Sequence, residues 1–405
     1  MKKVLLMMLA VLTGTAVAQM TWTCATESAP WGIRAMHASV IFRDSVWLMG
    51  GWGSGEFIFH DIWCGRDGVH WIQKADAEWS QRYAHSAVAN EDGIWVMGGG
   101  TNTGVEYGDV WHSPDGDTWI EENPSAPWGP RRGHASVAFG GRIWVLGGRV
   151  GSPSQFLNDV WSSADGAIWV CETEAAAWPP RSYHAATVYG GRIWVFGGGS
   201  HGRHNDVWYS ADGKVWNCAT PGAPWSPRLE IKVVVMRDTM WLTGGRDSAD
   251  VRSDVWYSTD GANWACATQS AEWPPRSSHT MIVAGGRLWI HGGLLDFNGT
   301  TLAEDAWCSS GIGGIEEAQN AKEQNGRLSS VGLVVTIVRG ALIQPESAGY
   351  KIGAASLLNS AGRKVMEIHP GANDVGPLAP GVYFLRSASS VERGTSHVTK
   401  VIATR

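Results

Sequence analysis

Residues 126–173 read "APWGPRRGHASVAFGGRIWVLGGRVGSPSQFLNDVWSSADGAIWVCET", and residues 176–220 read "AAWPPRSYHAATVYGGRIWVFGGGSHGRHNDVWYSADGKVWNCAT". Laid over one another, they share a Trp, an Arg three residues on, a His three further, a Gly-Gly pair, an Asp-Val-Trp and an Asp-Gly. Self-similarity at a fixed period marks a repeat architecture. The leading tryptophans recur at Trp31, Trp79, Trp128, Trp178, Trp225 and Trp273, at spacings of 48, 49, 50, 47 and 48, which makes six units.

Each unit parses into four short strands. "HASVAF" alternates and meets a turn. "RIWVLGG" is apolar and β-prone, and ends in two glycines where a Cβ is not tolerated or φ is positive. A variable loop follows, then "DVWSS", an Asp-Gly and "AIWVC"; Asp-Gly between two Trp-bearing strands is a strong hairpin signal. One such meander cannot cover both of its apolar faces, so neighbours must pack around a ring. The expected fold is an all-β, six-bladed propeller, which leaves only short, protected edges.

Composition agrees. The chain has 405 residues, 52 Gly and 25 Trp against 8 Phe and 8 Tyr, with 17% charged residues. That balance favours strands and tight turns over helices. A net charge of −6 gives no bulk basic character for nucleic acid.

Four Trp positions recur through the units. The outer-strand position holds Trp71, Trp119, Trp169, Trp216 and Trp264, and the sixth unit stops at "DAWCSSGIGG" without one. "TWTCAT", with Trp22 and Cys24, matches Trp216 and Cys218. Residues 20–26 are therefore expected to complete the last blade as its outer strand. Trp52 alone falls outside the four positions.

The Arg-x-x-His, the Gly-Gly and the Asp-Val-Trp resemble kelch repeats, across all six units and about 290 residues. The resemblance implies a kelch-type propeller over residues 19–310. It also implies that the loops between strands two and three, with those carrying Trp-x-x-Arg, line a face around the channel that commonly binds partners. On that face the residues to test as ligand contacts are Trp52, Phe57, Phe59, Glu106, Tyr107, Phe156, His201, His204, Asp247 and Phe297.

Arg34, Arg82, Arg131, Arg181, Arg228 and Arg276 recur in every unit. They read either as a cationic ring for an acidic ligand or as structural groups stacking on Trp and bonding turn carbonyls. The Asp before each Val-Trp, or its equivalent, can accept from the His or Arg of its own blade. Unit five replaces the His by Ile231, in "PRLEIKV". His201 and His204 read as a chelating pair or as two solvated loop histidines; five histidines from separate blades do not read as a metal cluster. No cofactor is implied.

Galactose-oxidase-like copper enzymes and kelch-type sialic-acid epimerases use related propellers, but Tyr is scarce and no nucleophile–base constellation is legible. The "SPDGDTW", "SADGAIW", "SADGKVW" and "STDGANW" segments are similar to sialidase Asp-boxes, one residue short, and are hairpin motifs. The functional expectation is a binding module for a protein or glycan, with a carbohydrate-active oxidase or epimerase as the alternative.

The ends carry addresses. Residues 1–18 have two lysines, a short apolar run and Ala-Val-Ala, as in a secretory signal peptide; no later stretch is long and apolar enough to span a membrane. Residues 311–327 are polar and glycine-bearing, a linker. Residues 328–405 lack Trp and read as a β-sandwich of about six strands. "LLNSAGRKVMEI", "LAPGVYFLRS" and "HVTKVIATR" resemble the C-terminal sorting domain of bacterial type IX secretion cargo, with Gly362, Gly381, Tyr383 and Lys400 on its pattern. The resemblance implies the secretion machinery as a partner and delivery to the cell surface or medium. The six Cys sit mostly at one repeated position, too far apart to bridge, and are expected to be small buried thiols; a Cys24–Cys308 bridge is the conceivable exception.

Overall fold

The computed structural model describes residues 20–310 and, beyond them, the backbone of seven strands between 336 and 403. The signal segment and linker expected at 1–18 and 311–327 lie outside the described residues. Two compact units divide the chain, Met1–Glu316 and Glu317–Arg405. No helix among the described residues is long and apolar enough to cross a membrane.

The first unit holds six four-stranded antiparallel sheets. Five are sequential meanders. The third blade is representative, with strands Ala135–Phe139, Arg142–Val150, Gln155–Ser163 and Trp169–Thr173. The sixth joins Thr280–Ala284, Arg287–Leu294 and Leu302–Ser309 to Trp22–Thr26, which pairs antiparallel with Leu302–Ser309 in the register Trp22 to Ser309 and Thr23 to Cys308. The first and last described strands of the unit thus close the ring. In blades one, three and six the segment between strands two and three is not an irregular loop. Strand two runs on through Trp52, Val150 and Leu294, and strand three returns from Ile58, Gln155 and Leu302.

The core lies between blades. Val137, Trp144 and Leu146 of blade three pack with Trp178, Ile193, Val195 and Trp216 of blade four. Each leading Trp meets an outer-strand Trp edge-to-face: Trp31–Trp71, Trp79–Trp119, Trp128–Trp169, Trp178–Trp216, Trp225–Trp264 and, closing the set, Trp273–Trp22, with centroids 5.7–6.4 Å apart. The turn glycines serve the same packing. A Cβ on Gly116 would stand 2.1 Å from the ring of Trp47 in the preceding blade. Gly166, Gly213, Gly261 and Gly68 lie likewise on Trp95, Trp144, Trp194 and Trp289. Blade six has no such turn; there Met20 joins Trp241 in one buried cluster.

All six Cys are free, and only Cys308 is buried; Cys218 is exposed and the others are intermediate. The expectation of buried thiols therefore fails for five. The repeated Cys lies on an outer strand that has solvent on one side, and Cys64 lies on the strand beside it.

In the second unit the seven strands form a three-stranded and a four-stranded antiparallel sheet. The longest pairing joins Gly381–Ser387 to His397–Ala403.

Candidate functional site at the channel mouth

The constant frame Trp-x-x-Arg-x-x-His is structural at every constant position. Each arginine is buried and grips the aspartate of its own blade with two nitrogens: Arg34–Asp61, Arg82–Asp109, Arg131–Asp159, Arg181–Asp206, Arg228–Asp254 and Arg276–Asp305, at 2.5–2.9 Å. The same guanidinium donates to the first glycine carbonyl, as Arg82 does to Gly98 at 2.9 Å. The strand-three Trp completes the aspartate, as Trp111 Nε1 donates to Asp109 at 2.8 Å. Fork-to-fork pairing fixes both partners. Six arginines paired and enclosed in this way do not form a cationic ring open to an acidic ligand.

The histidines pack between blades, under the Gly-Gly pairs. A Cβ on Gly99 would meet His85 Cβ at 2.7 Å, and one on Gly98 would meet His134 Cε1 at 2.9 Å. Their Nε2 atoms reach hydroxyls across the blade seam where one is present: His37 to Thr280, His134 to Ser86 and His279 to Thr243, at 2.8–3.0 Å. Burial, with nearby arginines adding, pushes His85, His134 and His184 down to about 3 and His37 and His279 well below their usual value. All five are neutral near pH 7.

What varies is the pair of residues between Arg and His, and this pair forms the mouth. Its second member has positive φ in every blade: Met36, Ala84, Gly133, Tyr183, Glu230 and Ser278. Their backbones are hydrogen-bonded from blade to blade: Met36 N–H to Ser278, Ala84 to Met36, Gly133 to Ala84, Tyr183 to Gly133 and Glu230 to Tyr183, at 2.7–3.0 Å. The first member bridges to the residue that follows the Gly-Gly pair: Ala35 to Trp52, Tyr83 to Gly100, Arg132 to Arg149, Ser182 to Gly199, Leu229 to Arg246 and Ser277 to Leu294. Two short strings of backbone thus place twelve variable residues at one end of the channel.

Unit five departs furthest. Glu230, Ile231 and Lys232 replace the variable residue, the His and the small residue that follows it. Ile231 takes the imidazole's place, its Cδ1 3.0 Å from where a Cβ on Gly197 would lie. Glu230 is buried, paired with Arg246 at 3.0 Å and accepting from Ser277 Oγ at 2.7 Å. Lys232 lines the channel with His37, His85, His134 and His184, and burial lowers its pKa against the pull of Glu230.

The ten loop residues divide. Phe59 stacks on the Arg34 guanidinium at 3.8 Å and Tyr107 on that of Arg82 at 4.5 Å. Glu106 pairs with Arg132 at 3.1 Å and accepts from Gly151 N–H. Asp247 is buried, bonded to Ser226, Arg252 and its own turn, which hold its carboxyl well below the usual range against the opposing effect of burial. These four brace the loops. His204 is half-buried, its N–H and C=O held by Gly198 and Arg228. Phe57 is 59% exposed and Phe297 37% exposed; Phe297 lies beside Arg203 and Arg246 from blades four and five. Phe156 meets the exposed His201 edge-on at 5.7 Å. Trp52 is half-buried in strand two, at the rim position that Arg149 and Arg246 hold in their blades. Among the described residues no three of His, Cys, Asp and Glu are placed to hold a metal ion.

Tyr83, Arg132, Tyr183, Glu230, Lys232 and Ser278 were not singled out from sequence. The available signal was position: they are what changes inside a frame that otherwise stays constant.

The comparisons with known proteins agree with this geometry. Residues 121–293 match the family model described as the KLHDC2/KLHL20/DRC7 Kelch-repeats domain. A solved structure titled "Structure of YjhT" is similar over 69% of this chain and 95% of that one, with a TM-score of 0.57 and 16% identity. No curated protein sequence matches the chain. The first unit is thus a six-bladed β-propeller whose residues 121–293 match kelch repeats.

Proposed function

We propose that the protein is an exported binding module that takes a protein or glycan ligand on the mouth face. Kelch propellers are protein-interaction modules. The observation that carries the reading is the division of labour in each unit. The constant residues are buried and internally paired, while the variable ones converge on one face and leave aromatic side chains exposed there, Phe57 and Phe297 foremost. Aromatic groups beside arginines, as at Phe297 with Arg203 and Arg246, are a common composition for recognition surfaces.

The signal-like 1–18 and the sorting-domain resemblance of 328–405 support export and delivery to the cell surface or medium. A glycan array and a binding screen against surface proteins, run on the mature chain, test the ligand class. Phe57→Ala and Phe297→Ala are expected to weaken any hit at least tenfold at unchanged Tm. Unchanged affinity in both would place the ligand elsewhere. Fusing 328–405 to a reporter in a type IX host tests the address, and retention in the periplasm would refute it.

A further inference from the structure

The residue after the channel His is Ala38, Ser86, Ala135, Ala185 and Thr280 in five blades and Lys232 in the fifth. All six line one channel. A ring of small residues leaves the axis open, and a single long cationic side chain enters it. Lys232 lines the mouth together with Glu230 and also the channel below it, level with Ala38, Ser86, Ala135, Ala185 and Thr280.

No carboxylate lines the channel with it at this level. Glu230, the acid at the mouth, is already engaged by Arg246 and Ser277. Lys232 makes no hydrogen bond or ion pair among the described residues. The surrounding histidines are neutral, so they neither pair with it nor repel an anion. The hydroxyls of Ser39 and Ser136 in the channel and of Ser278 at the mouth are buried without partners. Lys232 is half-buried and its partnerless ammonium is reached by solvent within the channel, so a small anion can enter beside it.

We propose that the propeller channel binds a small free monovalent anion, a halide or a short carboxylate, at the Lys232 ammonium, with channel hydroxyls as its neutral donors. The site is independent of whatever binds the outer loops. It is confined to blade five's departure from the repeat, and it pairs the one cation that the fold leaves uncompensated in the channel.

Crystals of the mature protein grown or soaked in bromide test it directly: an anomalous peak beside Lys232 Nζ is expected. In solution at constant ionic strength, replacing gluconate with bromide or acetate is expected to raise Tm saturably, as a ligand specific to the folded state must. Lys232→Met, which keeps the volume and removes the charge, is expected to fold and to lose both the peak and the response. Saturation by bromide identifies a halide site, and saturation by acetate alone a carboxylate site. Wild-type maps in bromide with no peak beside Lys232, together with a flat response to both anions, would overturn the proposal. So would an equal response in Lys232→Met. Should that variant not fold, the wild-type maps and titrations still decide.

Discussion

Trp22 meets Trp273 edge-to-face, centroids 6.0 Å apart and planes at 81°, in the geometry that joins the other five leading tryptophans to outer-strand partners of their own repeats. Here the partner comes from the opposite end of the unit. Ring closure therefore rests on Trp22–Thr26. Trp22→Ala is expected to cost about 3–5 kcal/mol, as for other buried Trp truncations. Deleting 20–26 should also expose the edge of Leu302–Ser309 to pairing with other chains. Calorimetry and size-exclusion chromatography check both; a truncated chain with native Tm and a monomeric profile would refute closure by this strand.

The arginine–aspartate forks should behave as buried pairs. Asp109→Asn is expected to destabilise by about 3–5 kcal/mol, because Arg82 is left charged and enclosed. Arg82→Lys should not restore the loss, since a single ammonium cannot reproduce two parallel donors. Urea unfolding measures both, and a change in Asp109→Asn under about 1 kcal/mol would argue against the pairing.

Gly116 tests the blade-to-blade seam. Its φ of +88° and the Trp47 ring beside it exclude a side chain. Gly116→Ala is expected to cost more than about 1 kcal/mol, combining left-handed strain with overpacking. Gly140→Ala, in a turn of φ +60° with open space around it, should carry the strain alone and lose less. Equal Tm losses in the two variants would remove Trp47 from the explanation.

Stability should fall in mild acid. His85, His134 and His184 have folded values of about 3, and His37 and His279 lie well below their usual value, against about 6.5 when unfolded. A depressed value means that the unfolded chain binds the extra proton. Their contribution is therefore present above pH 6.5 and is lost as pH falls toward 3, at about 1.4 kcal/mol per pH unit for each histidine. Thermal melts from pH 7 to pH 4.5 should show the decline beginning above the carboxylate range. His85→Gln should reduce the slope by about one histidine's share, and an unchanged slope would show that His85 is not neutral in the fold.

The repeat itself was legible because propeller packing demands the same residue at the same place in every blade. The Trp frame, the Arg and Asp that pair within a blade, and the Asp-Gly turn all recur, so spacing alone announced six blades and the displaced outer strand. The arginines show where such reading stops. Recurrence marks a residue as required without saying whether its charge faces solvent or an aspartate from the same blade, 25–29 residues along the chain. Only the fold brings Arg181 to Asp206 and Arg276 to Asp305.

The site was legible least, for a related reason. Sequence comparison among repeats rewards constancy, and the mouth is built from what varies: the pair before each His and the residue after each Gly-Gly. Ile231 stood out because it interrupts a constant position, yet Glu230 and Lys232 beside it hold positions that vary or merely stay small. Sequence by itself determined the blade count, the strand order within each blade and the residues that seal one blade to the next, since these follow from local pattern and period. The tertiary structure alone decided which side chains share the channel. Six segments far apart in the chain converge there, and whether a charge among them finds a partner depends on all six at once.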